Sequence, residues 1–178
     1  MNRFEEDVYK RAEDFINNID NFNDKMIRVG SDNFHKAMKH VLKWEGGYVN
    51  HPNDPGGETK FGISKRAYPH LNIKELTEKD VYGLYYFDYW RPLHLDDLPF
   101  DLAASIFDAA VNVGVTRVRS WLKDLEGLNR HEKGRLTAAQ FNDRREKYYK
   151  DLVAAKPEMA VFEKGWMNRL NSLREFVG

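Results

Sequence analysis

The chain has 178 residues, enough for one ordinary domain with a proper core, or for one domain with an appendage. Its 28 basic and 28 acidic side chains balance, so no net charge attracts the chain to nucleic acid, and nucleic-acid binding is disfavoured. Because the chain has no cysteine, disulfides, thiolate nucleophiles and thiolate metal sites are excluded. No apolar run reaches the length of a secretory leader or a membrane span, so we expect neither.

The first thirty residues are predicted to form an amphipathic helical extension (1–30), which precedes a main domain at 31–178. Apolar side chains recur there at helical spacing, at Phe4, Val8, Phe15, Ile19, Phe22 and Met26. Such a stripe suits an arm that binds a partner or a second copy of the chain. It also suits a helix packed on the domain's own core, which we favour because most amphipathic helices bury their stripe within their own fold.

The stretch from Glu45 to Ser64 interrupts the helical pattern that begins near Phe34. It contains five of the twelve glycines and two of the six prolines. Glycine loses backbone entropy in a helix and proline lacks the donor, so this stretch is predicted to be a loop or a short hairpin.

Two carboxylic acids of this stretch suggest a chemical role. Glu45 continues the apolar stripe of the preceding helix, and a carboxyl group held against apolar surface is suited to donate a proton. Asp54 lies nine residues later in a turn, where we expect it to be solvated and ionised. Glycoside hydrolysis needs two carboxyl groups in such contrasting environments. The alternative is that Glu45 is only a solvated residue before a Gly-Gly helix end.

Helical patterns return after the stretch. Six further helices are predicted. The first three are 63–68 before Pro69, 77–90 capped by Thr77, and the apolar segment 100–114, which Gly114 ends. The other three are 116–125 before a polar turn at 127–134, 137–156 opened by a capping box at Thr137, and 157–176, with Gly165 at a bend or a close helix contact. We therefore predict a mainly α fold of six to eight helices with at most one small hairpin.

The helix opened by Thr77 is rich in aromatic residues, more than one buried face can accommodate. We therefore expect some of its rings to line a groove and stack on sugars, with Tyr85, Tyr86 and Trp90 as candidates. On the central helix, Asp108 and Asn112 lie four residues apart. They orient the glycine-rich loop, touch substrate, or form a purely structural network. Three arginines, Arg144, Arg145 and Arg169, are expected in surface ion pairs, with pairing to acids near the cleft as the alternative.

The six histidines are the best metal ligands in the sequence. His35 and His40 lie five residues apart and do not share the i, i+4 face of a helical zinc pair, and the others are scattered. We therefore predict no metal site and no cofactor. His51, beside the glycine-rich loop, is expected to shape the turn or contact a sugar.

Several motifs resemble those of a known family. The run from Trp44 to Tyr48, Asn50, and the run from Asp54 to Ser64 are similar to the signature of glycoside hydrolase family 108, the bacterial and phage N-acetylmuramidases. The later motifs Phe107 to Gly114 and Phe162 to Arg169 also resemble this family. The resemblance covers about residues 34 to 174, and the order Glu45, Asp54, Thr59 is similar to the triad of phage lysozymes.

This resemblance implies a lysozyme-like domain that cleaves the β-1,4 bond between N-acetylmuramic acid and N-acetylglucosamine in peptidoglycan glycan strands. Glu45 would be the general acid, Asp54 the stabilising or water-activating carboxylate, and Thr59 a residue that positions water. Substrate contacts are expected from the motif and from the aromatic and central helices: Tyr48, Asn50, His51, Phe61, Tyr85, Tyr86, Trp90 and Asn112.

The resemblance also implies a phage context, with synthesis in the host cytoplasm without a signal peptide. The protein would then act on the cell wall after holin-type release or as a virion component. Two alternatives stay open: a lytic transglycosylase that cuts the same bond, and a non-catalytic wall-binding or virion module.

Overall fold

The computed structural model describes residues 30–50, 57–132 and 135–178. The predicted N-terminal helical extension lies outside the described residues except for Gly30. His51 and Asp54 also lie outside them.

Within the described ranges the chain forms six α-helices and one antiparallel pair of short strands. In chain order these are α1 (Asp32–Trp44), β1 (Thr59–Lys60), β2 (Ile63–Ser64), α2 (Glu78–Tyr85), α3 (Phe100–Val113), α4 (Val115–Glu132), α5 (Ala138–Ala155) and α6 (Ala160–Val177). The predicted mainly α, lysozyme-like fold with one small hairpin is confirmed. None of the helices in the described part combines the length and the apolar character that crossing a membrane requires.

The chain divides into two compact units, one ending at Pro92 and one beginning at Leu93. In the first unit, the Ser31 side chain accepts a hydrogen bond from the Phe34 N–H and so caps α1. The apolar face of α1 is buried, and Phe34 packs edge-on against Tyr86 and Trp90 at ring distances of 5.3 Å. The first unit therefore has an aromatic core between α1 and the segment that follows α2.

The segment around α2 follows the sequence prediction at its start and departs from it at its end. Thr77 and Asp80 form a capping box, as the Thr77 cap predicts. After Tyr85 the helix widens into a π-helical turn over Tyr86–Trp90. Such turns occur often at functional sites.

The predicted short helix over 63–68 is wrong. Ile63 and Ser64 pair with Lys60 and Thr59 as β2, and residues 65–67 form a turn. The hairpin turn and the strand pairing override the local helical pattern, because they bury Ile63.

The second unit is built on α3, which contacts α4, α5 and α6. The buried positions of α3 are mostly apolar, and Gly114 ends it with a φ of 91°, as predicted. The Thr137 capping box that opens α5 is also confirmed.

Two glycine predictions in the second unit are wrong. The predicted polar turn over 127–134 is contradicted, because α4 continues through Gly127 to Glu132. A single glycine costs a helix only about 1 kcal/mol. At Gly165, α6 is continuous, and a Cβ built there meets no atom within 4 Å, so close packing does not require the glycine.

Candidate functional site

Glu45 lies where α1 ends. It is the C-cap residue, with extended backbone angles, and its N–H donates to the Val41 carbonyl at 3.2 Å. Its side chain is half-buried. The carboxyl group is therefore attached to the last turn of a well-packed helix and is partly shielded from solvent.

The hairpin is bonded to the segment that follows Glu45. Val49 and Thr59 exchange two backbone hydrogen bonds of 2.8 Å, and the Phe61 N–H donates to the Gly46 carbonyl at 3.0 Å. These bonds make the segment after α1 a neighbour of β1. They therefore hold the tip of the hairpin beside Glu45.

The hairpin turn consists of Phe61 and Gly62, both in the left-handed region, with φ of 51° and 74°. Positive φ at both central residues is the pattern of a type I′ turn, which usually takes Asn-Gly. A phenylalanine in this conformation costs about 1–3 kcal/mol. Two hydrogen bonds hold it there, one from its own N–H to Gly46 and one from the Tyr85 hydroxyl to its carbonyl at 2.8 Å.

Gly62 brings the carboxyl group of Glu45 against this turn. A Cβ built on Gly62 would lie 2.7 Å from Glu45 Oε2 and 2.7 Å from the Tyr85 hydroxyl oxygen. Both distances are shorter than atoms of side chains can tolerate, so the space where a side chain would begin is occupied by these two oxygens. The candidate site is therefore formed by Glu45, the Phe61–Gly62 turn and Tyr85.

Three large apolar side chains close to Glu45 in the sequence are exposed to solvent. Trp44 is 36% exposed, Tyr48 40% and Val49 52%. The Tyr48 hydroxyl donates to Glu58 Oε2 at 3.1 Å. Desolvation and the hydrogen bond to Glu58 raise the pKa of Tyr48, partly opposed by a hydrogen bond with Asn50, so the phenol stays neutral at physiological pH.

The predicted site residues fall into three groups. Tyr48, Asn50, Thr59 and Phe61 lie in or beside the hairpin next to Glu45. The Thr59 hydroxyl lies 3.5 Å from the Gly57 carbonyl oxygen. His51 and Asp54 are outside the described residues.

The third group lies in the aromatic segment and the second unit. Tyr85 and Trp90 are 1% and 0% exposed, so neither provides an open ring face for a sugar. Tyr86 is half-buried and packs against Phe34. Asn112 accepts a hydrogen bond of 2.5 Å from the Tyr149 hydroxyl, within the second unit. Of the roles considered for Asn112, this contact fits the structural network.

Asp108 is the centre of that network. Its carboxylate is fully buried and forms ion pairs with Arg145 at 2.7 Å and Arg169 at 2.9 Å. Burial alone would raise the pKa of Asp108, but the two guanidinium groups outweigh burial and hold it below its usual range. The expectation of surface ion pairs is therefore wrong for Arg145 and Arg169, which are buried.

Sequence reasoning missed Gly62 and Trp44. The dipeptide Phe61-Gly62 between two β-forming pairs is a weak hairpin signal, because phenylalanine replaces the usual asparagine. No local sequence pattern indicates that a glycine lies against a carboxyl group from another element. Among the described residues, no three histidine, aspartate or glutamate side chains converge as a metal site.

Comparison with known proteins identifies the part of the chain that carries this site. Residues 38–114 match the sequence model of a family described as glycosyl hydrolase 108. The predicted family resemblance is confirmed. The family-108 match includes Glu45, the hairpin and Tyr85, and it supports a glycoside hydrolase that acts on peptidoglycan.

A solved structure supports the same relationship. The chain is similar to SagA of Brucella abortus, with 29% sequence identity and a TM-score of 0.64. The similarity covers 81% of this chain and 92% of SagA. No match was found among functionally curated proteins.

Proposed function

We propose that this glycoside hydrolase is an N-acetylmuramidase that hydrolyses the β-1,4 bond between N-acetylmuramic acid and N-acetylglucosamine. The observation that carries the proposal is the half-buried Glu45 carboxyl group, held against the hairpin turn inside the family-matched segment. A carboxyl group on a rigid helix end, with restricted access to water, is suited to transfer a proton to a bound sugar.

In the proposed reaction Glu45 donates its proton to the glycosidic oxygen as the bond from that oxygen to C1 breaks. Positive charge develops at C1 and on the ring oxygen, and Asp54 stabilises this charge or deprotonates the attacking water. Water then supplies the hydroxyl group at C1. Its proton returns to Glu45 where Asp54 only stabilises the charge, and it goes to Asp54 where Asp54 is the base, so that both carboxyl groups regain their starting states by exchange with solvent. Thr59, on the strand that pairs with Val49, would position that water.

The stereochemical outcome depends on the distance between the two carboxyl groups. A separation of about 5–5.5 Å favours retention through a covalent intermediate, and one of about 6.5–9.5 Å leaves room for water and favours inversion. Either course uses Glu45 as the proton donor.

The exposed rings of Trp44 and Tyr48 would contact the glycan strand. Sugar rings present apolar C–H faces that stack on aromatic side chains, and both rings are exposed next to Glu45. The hydrogen bond to Glu58 restrains the Tyr48 hydroxyl, so this ring would bind sugar with little loss of side-chain entropy.

The deciding experiment is digestion of purified peptidoglycan by the wild-type chain, by Glu45→Gln and by a control, Glu75→Gln, which changes an exposed glutamate of the same unit. Mass spectrometry of the products should show reducing muramic acid ends from the wild type and the control. Loss of the general acid should lower the rate by about 10²–10⁴-fold.

Other products would change the assignment. Anhydro-muramic ends, lighter by one water, would indicate the lytic transglycosylase. Substantial lysis by Glu45→Gln would remove Glu45 from the role of acid, and no release from any chain would indicate a non-catalytic binding module. The helical extension, the phage context and the route to the cell wall stay predictions of the sequence.

A further inference from the structure

We propose that the Phe61–Gly62 turn and the Tyr85 hydroxyl form a positioning device that sets the orientation of the Glu45 carboxyl group. The inference rests on the proposed function, because it assigns a role relative to the proposed acid. Gly62 and Tyr85 would be positioning residues. They would act through Glu45 and would not touch the substrate themselves.

The first argument is the contact at Gly62. The virtual Cβ position of this residue lies 2.7 Å from both Glu45 Oε2 and the Tyr85 hydroxyl oxygen. Both oxygens therefore lie where the side chain of any other residue would begin. The backbone of the turn limits the rotation of the Glu45 carboxyl group on that side. Any larger residue at 62 would have to displace both oxygens.

The second argument is that the turn is held in place by bonds from two directions. The Phe61 N–H donates to Gly46, the residue directly after Glu45, and the Phe61 carbonyl accepts from the buried Tyr85 hydroxyl. A phenol carries one hydroxyl proton, and Tyr85 donates it to Phe61. Tyr85 therefore acts on the turn, and the turn acts on Glu45.

The third argument is that Phe61 keeps a strained conformation at this point. A phenylalanine with a φ of 51° persists only where surrounding contacts over-determine it, and such residues cluster at functional sites. Here the contacts are those to Gly46 and Tyr85. The strain is thus located at the residue whose position determines where Gly62 meets the carboxyl group.

The test compares Gly62→Ala with a matched control, Gly57→Ala. Both glycines have positive φ, 74° and 69°, so both substitutions strain the backbone similarly. A Cβ at Gly57 meets only Lys65 Cβ at 3.6 Å, an ordinary contact. The control therefore reproduces the backbone strain of Gly62→Ala without the collision with Glu45.

We expect Gly62→Ala to lower kcat about 100-fold, the size of effect that a displacement of about 1 Å can have on a catalytic group. KM should change by less than about threefold, since substrate binding is not altered. Gly57→Ala should keep kcat within about threefold of wild type. Equal losses of kcat in the two variants would overturn the inference, as would a change confined to KM.

Tyr85→Phe keeps the buried ring and removes the hydroxyl, and it tests the inference if Gly62→Ala does not fold. We expect about a 10-fold loss in kcat with little change in KM, because the Phe61 carbonyl loses one of the bonds that hold the turn. In the double variant the losses should be less than multiplicative, because both changes act on one turn. Wild-type kcat in Tyr85→Phe, or multiplicative losses, would contradict it.

Failure of this inference and failure of the proposed function give different results. If Glu45→Gln is inactive while Gly62→Ala matches Gly57→Ala, Glu45 is the acid and the turn does not position it. If Glu45→Gln retains wild-type lysis, the proposed function fails first.

Discussion

Asp88 in the first unit and Asp108 in the second are both shielded from solvent, but their hydrogen-bond and ion-pair partners differ. Asp88, on the π-helical turn, accepts a hydrogen bond from the Tyr68 hydroxyl, and Asp108 is paired with two guanidinium groups. Burial raises the pKa of Asp88 to about 6, against the opposing effect of Tyr68. At Asp108 burial acts in the same direction, but Arg145 and Arg169 outweigh it and the pKa is lowered.

The difference suggests a division of roles between the units. The first unit carries the candidate acid and a carboxylate whose ionisation is disfavoured by burial. The second unit satisfies its buried carboxylate with opposite charges. Carboxyl groups with a perturbed pKa commonly accompany functional sites, whereas compensated networks stabilise a fold.

The largest effect on stability is expected from Asp108→Asn. This change leaves two buried guanidinium groups without their anion, and breaking a buried ion pair from one side costs about 3–5 kcal/mol. Urea unfolding should show a free energy of unfolding lower by that amount. The exposed Asp124→Asn is the control and should change it by less than about 0.5 kcal/mol. A loss of less than about 1 kcal/mol in Asp108→Asn would contradict the contrast between the units.

The next effect concerns pH. Because the folded pKa of Asp88 is about 6 and its ordinary value is 3.8, the folded state binds the proton more tightly, and this contribution to stability is present below pH 4. It is lost as the pH rises through 6, where ionisation costs up to about 3 kcal/mol. Asp88→Asn should remove this dependence and unfold at higher urea concentration than wild type at pH 7.

Asp108 provides the opposite sign in the same experiment. Its lowered pKa contributes stability above pH 4, and that stability is lost as the pH falls below its ordinary value of 3.8. Urea midpoints at pH 3, 5 and 7 therefore separate the two groups. If Asp88→Asn and wild type show the same change between pH 5 and 7, Asp88 has no raised pKa in the folded protein.

The smallest effect is expected from Phe61→Asn. Asparagine adopts the left-handed conformation more readily, and Asn-Gly is the preferred type I′ dipeptide, so the free energy of unfolding should rise by about 1 kcal/mol. Phe61→Leu is the control, since leucine also replaces the ring but keeps the strain, and it should not raise stability. If Phe61→Asn is no more stable than Phe61→Leu, the turn is not strained.

Local signals in the sequence predicted several elements correctly. Thr77 and Thr137 open helices, Gly114 ends one, and the glycine-rich stretch contains a hairpin, because capping and turn formation depend on residues only a few positions apart. The predictions that failed have two causes. At Ile63 a local hairpin, in which it pairs with Lys60, competes with the local helical pattern. Arg145 is buried because it pairs with Asp108, a distant residue on another helix.

The sequence by itself determined the helical fold class, the hairpin region and the family resemblance, because these follow from periodicity, caps and a run of motif residues. Only the tertiary structure decided that the Glu45 carboxyl group and the Tyr85 hydroxyl both lie against Gly62. The three residues lie on a helix end, a turn and a second helix, and their contact depends on how the chain packs. It likewise decided that Trp44 and Tyr48 are exposed whereas Tyr85 and Trp90 are buried, since exposure is a property of packing and not of residue type.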